Sequence, residues 1–182
     1  KKYPFDFIIG SVHNAPFKKD TNGNQLYTDP AAEKLFADRT DQEAYRLMME
    51  TTLENVKMMD CFQSLGHLDY IVRYGKMREK TYSCAEYTDV IDEILKQLIE
   101  KGKGLEVNAA GLKYGLPFAH PHPDVLRRYR ELGGEIVTIG ADAHKPEHIA
   151  YDFGKVEELL KACGFKYYTE FSKQKPVFKQ LI

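Results

Sequence analysis

What is scarce in these 182 residues narrows the field first. Only three cysteines occur, Cys61, Cys84 and Cys163, and none stands in a C-x-x-C pair. Neither a disulfide framework nor a zinc ribbon is supported, and a reducing, cytoplasmic setting fits best. No apolar run approaches the roughly 20 residues of a membrane span. The opening "KKYPFDFIIGSVH" turns from basic to apolar, but its apolar run is short and broken by Asp6, so no signal peptide is expected. An excess of one charge is missing too. The formal net charge is −1, and no global field recruits nucleic acid or an anionic membrane. No glycine-rich turn of the dinucleotide or P-loop kind occurs. The glycines of "KGKGLEVN" and "ELGGEIVTIG" precede strands and read as helix stops. Repeats, low-complexity tracts and linkers are absent, so residues 1–182 are expected to form one domain.

What is present fits a soluble α/β protein. Apolar residues make up 43 % and charged residues 29 %, ordinary for a globular chain with one sizeable core. Residues 5–12, "FDFIIGSV", read as a buried strand, and "KKDTNGNQ" as the heart of a polar loop. In "TDQEAYRLMMETTLENVKMM", Thr40 or Asp41 can cap a helix. Tyr45, Met48, Met49, Leu53, Val56 and Met59 recur in it at helical spacing, as core. "CFQSLGHLDYIV" reads as a second strand, and "SCAEYTDVIDEILKQLIEKGKG" as a helix stopped by Gly102. "GLEVN" is a third strand, and "HPDVLRRYRELGG" a helix with Pro123 in its first turn. "EIVTIG" is a fourth strand, "PEHIAYDFGKVEELLKACG" one or two helices, and "FKYYTEF" a last strand. Alternation of this kind predicts parallel β/α units. A closed barrel takes about 250 residues, so the chain is short for one.

In parallel β/α proteins the chemistry gathers at the carboxyl ends of the strands. The first strand ends at His13, and the second passes through His67 and Asp69. The third ends at Asn108, and the fourth in "GADAH", at Asp142 and His144. Imidazoles and carboxylates together are ligands for zinc, iron or manganese. His120 and His122, in "AHPHPD", form an H-x-H pair, but His122 stands just before Pro123 and reads as a helix entry. His148 lies in a helix start and reads as solvent-facing. Glu106 shares the face of Asn108 and, buried there, needs a partner.

The segments "GSVH", "GHLDYIVRYG", "GLEVNAAGLKYG" and "GGEIVTIGADAHKPEHIA" resemble successive motifs of the polymerase-and-histidinol-phosphatase (PHP) superfamily, most closely its histidinol-phosphatase branch. The resemblance implies a distorted seven-stranded, TIM-like β/α barrel. It also implies a cleft with up to three divalent ions (zinc, manganese or iron). It makes His13, His67, Asp142 and His144 metal ligands, the last two on different ions. Arg73 falls where the branch has a phosphate-binding arginine, and Lys113 where it often has a second one. Lysine keeps the charge and loses the bidentate fork. Asn108 joins these two as a substrate-binding candidate, and Asp142 and His144 are the catalytic candidates. Ala109-Ala110 replace a more common Thr-Ser pair. Family members begin with an H-x-H motif, and a further histidine and a bridging glutamate follow. None of these is found here. The resemblance thus predicts a carboxyl-terminal portion of a partial barrel, without its first strands.

The activity so implied is hydrolysis of a phosphomonoester, L-histidinol phosphate, in histidine biosynthesis, by water that the metals activate. Arg73 and Lys113 would hold the non-bridging oxygens. The isolated chain is expected to be inactive. It is also expected to pair through its exposed first strand, with a second copy or with the missing amino-terminal segment. Two other classes stay open. One is a non-catalytic binding module, which the missing motifs favour. The other is a nuclease or general phosphoesterase, which the near-neutral charge and the lack of a basic, aromatic-interleaved tract oppose.

Overall fold

The computed structural model describes residues 3–76 and 82–182. Strand β1 spans only Ile9–Gly10, well short of the expected residues 5–12. The reason is local. Its neighbouring strand is equally short, and before the pair the Ile8 amide donates to the Gln63 side chain at 2.9 Å while the Ile8 carbonyl accepts from the Gln63 amide. The residues before it turn away to another partner. Asp6 accepts from the amides of Lys173 (2.7 Å, side chain) and Gln174 (2.9 Å, carbonyl). The expected polar loop is the tip of an antiparallel hairpin, β2 (Ala15–Lys19) and β3 (Gln25–Thr28). Asp20 folds that tip by accepting from the amides of Asn22 and Asn24, both at 2.8 Å.

Helix α1 (Asp41–Met58) begins with a capping box. The Thr40 hydroxyl accepts from the Glu43 amide, and the Glu43 carboxylate from the Thr40 amide. It buries Tyr45, Met48, Met49 and Val56 as expected, whereas Met59 at its end is exposed. Strand β4 (Ser64–Leu65) is also shorter than expected, because the chain winds into a 3₁₀ helix at Tyr70–Tyr74. Helix α2 (Thr88–Glu100) follows a 3₁₀ turn at Cys84–Tyr87. It lays Val90, Ile91, Ile94, Leu95 and Leu98 into the core. Each such side chain contributes about 1.5–3 kcal/mol by burial. Strand β5 (Gly104–Asn108) is buried along its whole length.

A short helix α3 (Ala110–Lys113) leads on to α4 (Pro123–Glu131). His122 is the N-cap of α4, its ring accepting from the Asp124 amide. Strand β6 (Val137–Gly140) is followed by a 3₁₀ turn at Pro146–His148 and by α5 (Phe153–Ala162). His148 is half-buried rather than solvent-facing, with its ring edge-on to Tyr151. Four strands form one parallel sheet in the order β1-β4-β5-β6. The last expected strand does not join it. Instead β7 (Tyr167–Ser172) pairs antiparallel with β8 (Lys175–Gln180) as a separate hairpin. The buried apolar residues form one cluster running from Ala15 to Leu181. Cys61, Cys84 and Cys163 are free thiols. No helix among the described residues is long and apolar enough to cross a membrane.

Candidate active site

The four parallel strands deliver their polar residues to one edge, as the sequence predicts. His13 follows β1 and His67 follows β4. Their Nε2 atoms lie 3.1 Å apart, and their rings stack at 5.0 Å and 15°. Burial, then the nearby His13 and His120 rings, push the His67 imidazole down to about 4. It is therefore neutral at physiological pH, and a neutral imidazole is the form that ligates metal.

Behind this pair stands Glu106 on β5, a buried carboxylate. Its Oε2 accepts from the His67 amide and from Asn108 Nδ2, both at 3.0 Å. Burial raises its pKa against those two hydrogen bonds, and Asp142 raises it further. Gly140 makes the room: a Cβ there would lie 2.1 Å from Glu106 Oε1. Asn108 Oδ1 accepts from the Ala110 amide at 2.9 Å. With 1 % of its surface exposed, Asn108 is engaged at both ends by the chain itself.

Asp142 follows β6 in the left-handed region, at φ 46°, which aspartate tolerates better than most residues. Its Oδ1 lies 3.2 Å from His144 Nε2, and its Oδ2 lies 3.5 Å from Arg73 Nη1. Burial pushes its pKa up, but His67, Arg73, His144 and Lys113 outweigh that and lower it. Lys113 Nζ donates to the carbonyls of Ala141 (3.0 Å) and Asp142 (2.8 Å). It thereby ties the end of α3 to the backbone turn that presents Asp142. Burial and the Arg73 charge lower the lysine's pKa, against Asp142. The His144 side chain is largely exposed.

A second buried constellation pairs two residues that the sequence shows only singly, Asp69 and His120. Asp69 and His120 are both 0 % exposed, with Oδ1 and Nδ1 2.7 Å apart. Asp69 Oδ2 accepts from Tyr82 Oη (2.9 Å) and from the His122 amide (2.8 Å). Burial pushes the Asp69 carboxyl up, but His120 and these donors hold it below the usual carboxylate range. Positions 69 and 120 are remote in sequence, and no spacing rule joins them. Only the crossing of β5 with the segment before α4 does so. There the Asn108 and His120 backbones bond both ways, at 2.6 and 2.9 Å.

The metal-ligand candidates thus stand as two pairs, His13 with His67 and Asp142 with His144. Among the described residues, no three His, Cys, Asp or Glu side chains are grouped tightly enough to hold a metal ion. The donor types fit zinc, iron or manganese, and a neutral His67 imidazole is in the form that ligates metal. A cavity of about 550 Å³ under β6 and the β7–β8 hairpin is lined by none of these residues.

A family profile described as the PHP domain matches residues 1–110. The chain belongs to the PHP domain family. The chain is 32 % identical over 173 residues to a histidinol-phosphatase of Lactococcus lactis, covering 94 % of the chain and 60 % of that protein. It is 40 % identical over 166 residues to a probable histidinol-phosphatase of Thermotoga maritima, covering 90 % of the chain and 58 % of that protein. The crystal structure of the Lactococcus lactis histidinol phosphate phosphatase, in complex with zinc, L-histidinol and phosphate, superposes with a TM-score of 0.73 at 30 % identity. That match covers 97 % of the chain and 63 % of the other. The chain spans about 60 % of the length of the curated relatives it matches.

Proposed function

We propose that this PHP domain serves a metal-dependent phosphomonoesterase acting on L-histidinol phosphate. In this reading its open parallel sheet is one portion of the β/α barrel. One observation carries the proposal. At the carboxyl edge of the sheet, Arg73 stands 3.5 Å from Asp142, which in turn lies 3.2 Å from the His144 imidazole. An anion-binding cation and metal-type donors therefore share one edge. The relatives named as histidinol-phosphatases, one of them solved with zinc, L-histidinol and phosphate, support the substrate class.

The roles of the chain's own residues follow. Arg73 and the third N–H of Lys113 hold the non-bridging oxygens of the phosphate. His13, His67, Asp142 and His144 hold divalent ions, which supply charge screening and a lowered pKa for bound water. Asn108 acts through Glu106, which fixes the His67 backbone. It is too deeply buried to touch substrate. In this reading Asp142 and the exposed His144, besides holding metal, would assist proton transfer to the leaving alkoxide. Remaining ligands come from groups beyond the two donor pairs, whether water, substrate or further protein. Free thiols fit a reducing, cytoplasmic setting.

Calorimetric titration of L-histidinol phosphate into the chain with manganese tests the reading. Binding that Arg73→Ala abolishes is expected. Absence of binding, or binding indifferent to Arg73, would overturn it. The lack of a three-donor cage among the described residues favours one rival, a module that binds phosphate without hydrolysing it. Strand β1 also lies at a sheet edge with Ile9 44 % exposed, and such edges add strands from other chains. Sedimentation velocity is expected to show a dimer.

A further inference from the structure

Three tyrosine rings enclose the Arg73 guanidinium. Arg73 Cζ lies 5.3 Å from the Tyr70 ring centre, 4.9 Å from that of Tyr74 and 4.6 Å from that of Tyr114. The first contact is written into the backbone. In a 3₁₀ helix residues i and i+3 eclipse, so Tyr70–Tyr74 lays Arg73 over Tyr70 directly. Tyr74 adds a directional bond, its hydroxyl accepting from Arg73 Nη2 at 2.8 Å. Tyr114, the C-cap of α3, closes the outer side and is 44 % exposed. The same Tyr114 ring carries Lys113 Nζ at 5.1 Å.

Tyr70 has a second set of neighbours. Its ring lies 4.7 Å from that of His67 and 5.4 Å from that of His13, and it is 2 % exposed. One buried ring thus touches both the imidazole pair and the arginine. An unrestrained arginine samples many rotamers and loses that freedom when it binds an anion. Cation–π contact on several faces removes much of that freedom beforehand. Here it leaves the Nη1 edge pointing at Asp142, with no hydrogen bond among the described residues.

We propose that Tyr70, Tyr74 and Tyr114 are positioning residues, a sleeve that pre-orients the Arg73 guanidinium toward the anion held beside His67 and Asp142. The proposal rests on reading Arg73 as the phosphate contact. Tyr114 is the member to test, because it is exposed and its loss empties no core.

The test uses the ¹⁵N-labelled chain, reading the order of the Arg73 Nε–H group and the affinity for inorganic phosphate. Arg73 Nε is expected to be rigid before phosphate is added. Tyr114→Leu is expected to loosen it and to weaken phosphate roughly three- to tenfold. Tyr114→Phe keeps the π face and is expected to restore both. Tyr74→Phe, which removes the acceptor for Nη2, is expected to loosen Nε as well. An Arg73 Nε as mobile as that of exposed arginines would overturn the sleeve, as would a Tyr114→Leu chain unchanged in both readouts. Arg73→Ala separates the two ideas. Phosphate affinity unchanged by it would sink the phosphate reading, while the Nε order of the tyrosine variants still decides the sleeve.

Discussion

Arg73 Nη1 faces Asp142 Oδ2 across 3.5 Å, so the cation read as the phosphate contact already has an anion beside it. Asp142 and a bound phosphate must therefore compete for the same guanidinium edge. A divalent ion on Asp142 would relieve that competition. Without metal, Asp142→Asn is expected to strengthen inorganic phosphate binding several-fold. With manganese present, the same change is expected to weaken it. Phosphate titrations of both proteins, with and without metal, check the reversal of sign.

Metal affinity is expected to be modest, because the donors come in pairs. Alanine at His13 or at His67 should each remove most of the binding to that pair, so the double variant should lose little more. Calorimetry on the metal-stripped protein measures this. Tight zinc or manganese binding that survives alanine at His13, His67, Asp142 and His144 together would place the metal elsewhere.

Gly140 is required by the Glu106 carboxylate. Gly140→Ala puts a methyl group where the structure has 2.1 Å to Glu106 Oε1, and such overpacking costs about 1–3 kcal/mol. Denaturant unfolding should show that loss. The carboxylate must also shift from the His67 amide, so metal binding should fall with it.

The bidentate pair of Arg128 with Asp92 joins α4 to α2, with Nη2–Oδ2 at 2.6 Å and Nε–Oδ1 at 2.8 Å. The hydrogen bonds from Arg128 hold the Asp92 carboxyl below the usual range. A carboxylate with a depressed folded pKa stabilises the fold above its unfolded value, about 3.9. That stability fades as the pH falls through the folded pKa. Arg128 is 40 % exposed, so solvent screening keeps the effect small. Asp92→Asn should therefore lower stability slightly at pH 7, and the gap to the parent protein should close at strongly acidic pH.

How far the sequence leads depends on where each signal resides. Helices α1, α2 and α4 are legible because caps, helix stops and apolar spacing lie within each segment, as with Thr40 and Glu43 around the start of α1. The β7–β8 hairpin is hidden because its turn breaks the usual chemistry. Lys173 and Gln174 both take positive φ, 51° and 64°, where Asn-Gly is the normal choice. The compensating bonds come from Asp6, far away in sequence. Residues 5–12 look like one strand by composition, but ladder length depends on the neighbour, and β4 offers two residues. The strand-end residues His13, His67, Asp142 and His144 are legible because parallel topology alone brings them to one edge. The Asp69–His120 pair and the tyrosine sleeve are not, since each needs side chains that only tertiary packing brings together.

Release of inorganic phosphate from L-histidinol phosphate, measured on the chain alone with zinc or manganese, bears most directly on the central claim. That claim is a phosphate-holding PHP edge whose metal donors are paired and short of a full cage. No release above the metal-only background is expected. Turnover near the ~10 per second typical of enzymes would contradict it, since the chain would then hold a complete catalytic metal site.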